Sequence, residues 1–156
     1  MKNFLIFLWF LFFPLLGGKI SAVIAGDMQG FYNLLELPPY SPAPEVFPVA
    51  WIILYLLMGF GSWIVYQKAL NQYRSPQYYL LPFAIQLALN FAWTPIFFGL
   101  SAYWGGAWLA VLLFYAVGWM IWRFYAISRL AAYLQIPYLL WCAYAAYLSF
   151  GVAVLN

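Results

Sequence analysis

The sequence contains no histidine, one cysteine and few charges: six Lys/Arg and three Asp/Glu in 156 residues. Without histidine there is no His-ligated zinc, haem or non-haem iron and no imidazole general base. The single Cys142 excludes an intrachain disulfide and a cysteine cluster. Charged residues are 6% of the chain, against about 25% in an ordinary soluble domain, too few to clothe a water-facing surface. The net charge of +3 is carried by scattered cations that mark no phosphate-binding patch, so no nucleic-acid partner is expected. What the chain does have is apolar: 69% hydrophobic residues, 24% aromatic, and a mean hydropathy of +0.90. These values describe an integral membrane protein.

A transmembrane helix takes about 20 mainly apolar residues. Five segments qualify, roughly 4–26, 46–67, 78–100, 103–123 and 131–154. Their apolar runs do not alternate as barrel strands do, which leaves the helix as the spanning element. The expected fold is all-α, a single five-transmembrane-helix bundle over residues 1–156 with a long first loop at 27–45. Pro38, Pro39, Pro42 and Pro44 hold that loop out of a helix. Asn71, Arg74 and Pro76 mark the second break, Ser101 and Ala102 a tight third, and Arg123 to Arg129 the fourth.

With five spans, Lys2, Lys68, Arg74, Arg123 and Arg129 share one side, whereas Asp27, Glu36 and Glu45 lie on the other. Cytoplasmic loops are enriched in Lys and Arg, which places the N-terminus inside and the C-terminus outside. Lys19, about two turns before Asp27, either snorkels to the outer interface or points into a polar cavity. A rival exists for the first segment. Lys2, an apolar stretch and Val23-Ile24-Ala25 also suit a cleavable signal peptide, which would leave four spans.

No span carries a central Asp or Glu, so a carboxylate proton relay is not expected. In the third span Gln86, Asn90, Trp93 and Phe97 fall on one helical face and should turn inward, as helix–helix glue, ligand contacts or both. Pro95 should bend this helix and free a carbonyl near Phe91. Ala84, Ala88 and Ala92 form a small-residue stripe, suited to internal packing or to a homodimer face. The second span aligns Trp51, Tyr55, Met58 and Ser62; a Trp near a span end is ordinarily an interfacial anchor. The fifth aligns Pro137, Trp141, Ala145 and Leu148 with Tyr144 beside them. Packing accounts for such a stripe, as does a wall for a flat apolar ligand. The first loop, with Phe31, Tyr32, Tyr40 and Phe47, is aromatic enough to act as a lid, a rigid spacer or a partner surface.

Three blocks in order resemble the TspO/translocator protein family, the tryptophan-rich sensory proteins also called peripheral-type benzodiazepine receptors. They are Phe31-Tyr32 through Leu37-Pro38 and on to Phe47-Pro48-Val49-Ala50-Trp51 and Leu54-Tyr55-x-x-Met58-Gly59; Gln86 through Asn90, Trp93 and Pro95 to Gly99; and Pro137-Tyr138-Leu139-Leu140-Trp141 with Tyr144-Ala145-Ala146-x-Leu148. The resemblance implies a five-helix bundle, commonly dimeric, with a pocket opening toward the first loop. It implies binding of porphyrins such as protoporphyrin IX, as sensor, scavenger or carrier, with no cofactor required. The pocket positions it implies are Trp51, Asn90, Trp93, Trp141, Ala145 and Leu148, with Phe47 and Tyr55 lining the same space. Some bacterial members are associated with light-dependent porphyrin breakdown. That alternative would place oxidisable Trp51 and Trp141 beside the ligand as a photo-oxidative centre.

Several positions depart from the family pattern. Phe31 and Tyr40 stand where Trp is frequent, Glu36 where Lys is usual, Leu109 near a fourth-helix Asp of animal members, and Ser149 at a common Asn. No Tyr-x-Arg/Lys tail follows, and Arg123-Phe124-Tyr125 to Leu130 fits only the weak reversed sterol pattern. A cholesterol role is therefore not expected, although a lipid- or sterol-binding or purely structural partner protein remains the further alternative. Without an inverted repeat or a coupling charge beyond Lys19, active transport is disfavoured. The short loops and the want of a targeting presequence point to a bacterial cytoplasmic membrane.

Overall fold

A computed structural model describes residues 2–156. Helix α1 is Lys2–Ala25, α2 Met28–Tyr32, α3 Val46–Asn71 and α4 Pro76–Thr94; a π-helical turn, Pro95–Gly99, continues α4. Helix α5 is Tyr103–Tyr125, α6 Arg129–Tyr133 and α7 Ile136–Leu155. Five units are long and apolar enough to cross a bilayer: α1, α3, α4 with its π turn, α5, and α6 with α7. They match the five expected spans to within a few residues. The chain is a multi-pass integral membrane protein.

Local chemistry explains the boundaries. Pro76 opens α4 and Pro137 lies in the first turn of α7, where a missing N–H costs nothing. Ser101, at φ 53°, makes the tight link from the π turn to α5. The fourth break is shorter than the sequence suggested, because α5 runs on to Tyr125 and α6 starts at Arg129. The Ser128 hydroxyl caps α6 by accepting from the Ala131 N–H. The first loop is not wholly extended either. The Asp27 carboxylate accepts from the Gly30 N–H at 3.0 Å and starts the short helix α2.

Helix α1 packs on α3 and α4, and α5 packs on α4, α6 and α7. Gly59 of α3 meets the Phe10 carbonyl of α1 so closely that a Cβ there would overlap the oxygen. The Phe91 carbonyl, four residues before Pro95, has lost its helical donor; the buried Ser21 hydroxyl of α1 donates to it at 2.6 Å. Thus the carbonyl freed by Pro95 is a tie between α1 and α4. Helices α3 and α7 make few close backbone approaches, and large rings from both occupy the wedge between them.

Candidate functional site

The wedge is built from Trp51 and Tyr55 on α3 and Tyr138 and Trp141 on α7. The ring of Trp51 stacks on Tyr55 with centroids 5.4 Å apart. It meets Trp141 edge-on at 6.4 Å and 82°, and Tyr138 at 6.2 Å and 68°. Phe47, one turn before Trp51, meets Trp141 at 6.1 Å. Edge-to-face pairs of this kind set an electron-rich face against a ring edge, a favoured geometry. Trp51 and Trp141 are only half-buried, so neither indole is sealed in the core.

Beneath this box runs a buried polar seam. The Tyr55 hydroxyl donates to Asn90 Oδ1 at 2.7 Å, and Asn90 Nδ2 donates to the Tyr138 oxygen at 3.0 Å. The Tyr138 hydroxyl donates in turn to Gln86 Oε1 at 2.8 Å, and Gln86 Nε2 lies 3.7 Å from Met58 Sδ. Gln86, Met58 and Tyr138 are fully buried. Buried amides require partners, and here Asn90 finds both on α3 and α7. Its amide is a strut of the bundle, tying three helices together.

The first loop lies across the far end of α7. The Tyr144 hydroxyl donates to the Tyr40 carbonyl at 2.7 Å and the Tyr147 hydroxyl to the Pro39 carbonyl at 2.8 Å. The Asn156 side chain pairs with the Glu36 backbone twice, accepting from its N–H at 3.0 Å and donating to its carbonyl at 2.9 Å. On the α3 side, Tyr32 donates to the Pro42 carbonyl at 2.9 Å and its ring meets Phe47 at 5.3 Å. Burial pushes the Tyr32 phenol above its ordinary range, partly opposed by the neighbouring Ser41 hydroxyl. The loop is thus strapped along α7, and its Tyr32 reaches the ring of Trp141 through Phe47 of α3.

The expected pocket residues therefore separate. Phe47, Trp51, Tyr55 and Trp141 share one cluster, and Asn90 joins it through Tyr55 and Tyr138. Trp93 belongs elsewhere: its indole N–H donates to the Gly106 carbonyl of α5 at 3.0 Å and its ring stacks on Phe97. Leu148 is buried and Ala145 half-buried, its carbonyl accepting from Ser149. Tyr138, absent from the expected set, is central. The inward line of α7 runs through Tyr138, Cys142, Ser149 and Val152, whereas Pro137 is exposed. A clue was available in the small or polar residues Cys142, Ala145 and Ser149, in phase with Tyr138.

Two other expectations are resolved by position. Lys19 is exposed on the outside of α1, as snorkelling requires and the polar-cavity alternative does not. Ala84 and Ala88 face outward, so they do not serve internal packing. They line a groove of about 340 Å³ with Trp9, Phe13 and Phe91, on the outward side of α4. Among the described residues no three His, Cys, Asp or Glu side chains come together.

Comparison with known proteins extends the geometry. Residues 10–155 match the model of the TspO/MBR family. Protein CrtK of Rhodobacter capsulatus is 36% identical over 126 residues, covering 81% of this chain and 78% of that protein. The translocator protein of Ovis aries is 36% identical over 141 residues, covering 88% and 82%. The tryptophan-rich sensory protein of Cereibacter sphaeroides is 30% identical over 151 residues, covering 95% and 92%. A match across nearly the whole chain, on a bundle of five apolar helices, places the protein in the TspO/MBR family.

Proposed function

We propose that the Trp51–Trp141 box binds a flat tetrapyrrole of the protoporphyrin IX type and that the protein acts as its sensor, scavenger or carrier. The observation that carries this is the pair of half-buried indoles, 6.4 Å apart and nearly perpendicular, lying beside the strapped first loop. Aromatic walls with few polar groups suit a flat apolar ligand. The rings now lie against one another, so a ligand enters by turning Trp141 or Phe47 and lifting the loop. Because Asn90 is held by Tyr55 and Tyr138, polar edges of the ligand fall to loop backbone and to Tyr144 and Tyr147. Ala145 and Leu148 extend the wall along α7, and Trp93 contributes indirectly by fixing α4 on α5. The lack of histidine favours a metal-free porphyrin over axially ligated haem.

The test is a protoporphyrin IX titration of detergent-purified protein, following Trp quenching and the porphyrin absorption band. Saturable binding at unit stoichiometry, weakened at least tenfold by Trp141→Ala, is expected. Non-saturating quenching that is the same in the variant rejects the proposal.

A second reading is favoured by the closeness of Trp51 to both Tyr55 and Trp141: light-driven oxidation of bound porphyrin by dioxygen, with the indoles as electron donors or oxygen traps. It needs no acid–base pair. Illumination under air, with and without Trp51→Phe, decides it; bleaching no faster than porphyrin in empty detergent removes this reading.

The five cations at one end, with all three carboxylates at the other, support an N-terminus inside and a C-terminus outside. Bacterial relatives support a bacterial cytoplasmic membrane as the location. The outward stripe of Ala84 and Ala88, continued by half-buried Ala92, supports a homodimer across α4. Ala88→Phe should then convert a dimer to monomer in light scattering of the detergent-solubilised protein.

A further inference from the structure

Folding assembles cations that are far apart in the chain. Arg123, in the last turn of α5, lays its guanidinium over the Tyr78 ring with Cζ 3.8 Å from the centroid. Trp122 and Trp119 flank it at 5.4 and 5.6 Å. Tyr78 meets Tyr79 edge-on at 5.1 Å, and the Tyr79 hydroxyl accepts from Arg74 Nη1 at 2.9 Å. Arg74 and Arg123 thus stand at the two ends of one continuous aromatic strip at the start of α4. That helix starts without a side-chain cap; the Ser75 hydroxyl donates to Gln77 Oε1 and accepts from no backbone N–H. No carboxylate is at hand to neutralise the cluster: Asp27, Glu36 and Glu45 all lie at the opposite end of the bundle.

The decisive feature is what Arg123 does not bond. Its Nε and Nη1 atoms are shut away from solvent with no acceptor. Stacking on Tyr78 uses the face of the guanidinium, whereas its N–H donors lie in the plane. Nε shares one edge with Nη2, and Nη1 shares the other, so each fork holds an unsatisfied donor. A buried charged donor left without a partner is strongly unfavourable. Tyr78, which covers one face of the guanidinium, and Trp122 beside it are themselves 55% and 68% exposed, so the cluster lies at the surface of the bundle.

We propose that Arg123, with Arg74 and the uncapped start of α4, binds a phosphoryl group, carried by an anionic lipid headgroup or by free phosphate. Two phosphate oxygens match the spacing of a guanidinium fork. The amphipathic rings of Tyr78, Tyr79, Trp119 and Trp122 suit the depth at which lipid headgroups lie. Arg129, stacked 5.6 Å from Tyr125, lies at the same end but outside this cluster and supplies a control.

The experiment is native mass spectrometry of the full chain released from neutral detergent, after titration with phosphatidylglycerol or with phosphatidylcholine of the same tails. One phosphatidylglycerol should bind about tenfold more tightly than phosphatidylcholine. Arg123→Gln should abolish that preference, Arg74→Gln should reduce it about threefold, and Arg129→Gln should leave it intact. Arg123→Lys keeps the charge but not the fork and should restore only part. Inorganic phosphate that displaces the lipid at millimolar concentration identifies the free anion as a ligand; phosphate that fails to displace it assigns the site to the lipid. No preference in the unaltered protein, or equal losses in Arg123→Gln and Arg129→Gln, overturns the proposal. Should Arg123→Gln fail to fold, Arg74→Gln set against Arg129→Gln decides in its place, and equal losses in those two overturn the proposal as well.

Discussion

Ser21 on α1 holds the Phe91 carbonyl of α4 at 2.6 Å, and that carbonyl is available because Pro95 brings no N–H to it. The two substitutions should therefore be coupled. Ser21→Ala is expected to cost about 1 kcal/mol of stability, the usual net worth of one hydrogen bond. With Pro95→Ala a helical donor returns to Phe91, and Ser21→Ala should then cost less than half as much. Thermal unfolding of the four proteins in mild detergent gives the cycle. Equal costs in both backgrounds would show that the hydroxyl is not compensating for the proline.

Two glycines should respond in opposite directions. A methyl at Gly59 meets the backbone oxygen of Phe10, which cannot move without parting α1 from α3. Gly59→Ala is expected to destabilise by about 1–3 kcal/mol or more. Gly118 has nothing within 4 Å of the added carbon. Gly118→Ala should stabilise α5 by about 0.5–1 kcal/mol through helix propensity. Melting temperatures of both variants, measured side by side, check the pair.

Asn90→Leu should damage the fold before it changes any ligand contact. It leaves the Tyr55 and Tyr138 hydroxyls without their amide partner, at about 1–3 kcal/mol for each group that finds no substitute. Tyr55→Phe removes one of these bonds and should cost less. Unfolding midpoints in detergent would rank the two; an Asn90→Leu variant as stable as the parent contradicts the seam.

The loop should loosen when its tie to Asn156 is cut. Asn156→Ala removes both bonds to the Glu36 backbone. Each is worth about 0.5–1.5 kcal/mol, about 1–3 kcal/mol for the two, so opening should rise roughly 5–150-fold. A glutamyl endoprotease, cutting after Glu36, reads that opening directly as a faster cleavage rate. Tyr147→Phe should act the same way but less strongly.

The spans were legible because a bilayer imposes one length on every crossing, and Asn71, Pro76 and Ser101 mark the breaks sharply. The inward face of α4 was legible too: Gln86 and Asn90 are polar where lipid offers no partner, so their placement follows from chemistry alone. The face of α7 was not. Its residues are apolar all round, and in lipid the outside of a helix is as apolar as the inside, so periodicity carries little. Of the line Pro137, Trp141, Ala145 and Leu148, only Pro137 turns outward, and the buried Tyr138 beside it lies outside that line. The expected place of Trp93 in the box failed for a similar reason: one face of α4 spans enough arc to serve both α3 and α5. The ties from Asn156 to Glu36, and from Tyr144 and Tyr147 to the loop, join positions more than 100 residues apart. No local pattern announces them.

Tyr138 belongs at once to the aromatic box and to the polar seam: its ring meets Trp51 while its oxygen joins Asn90 to Gln86. The floor of the box is thus also a structural member, and it cannot be enlarged or reshaped without loosening three helices. The roof is different, since Tyr40, Pro39 and Glu36 are held through backbone carbonyls and an amide that any side chain could offer. Substitutions in the loop should accordingly leave the bundle intact, whereas substitutions at Tyr138 should loosen it.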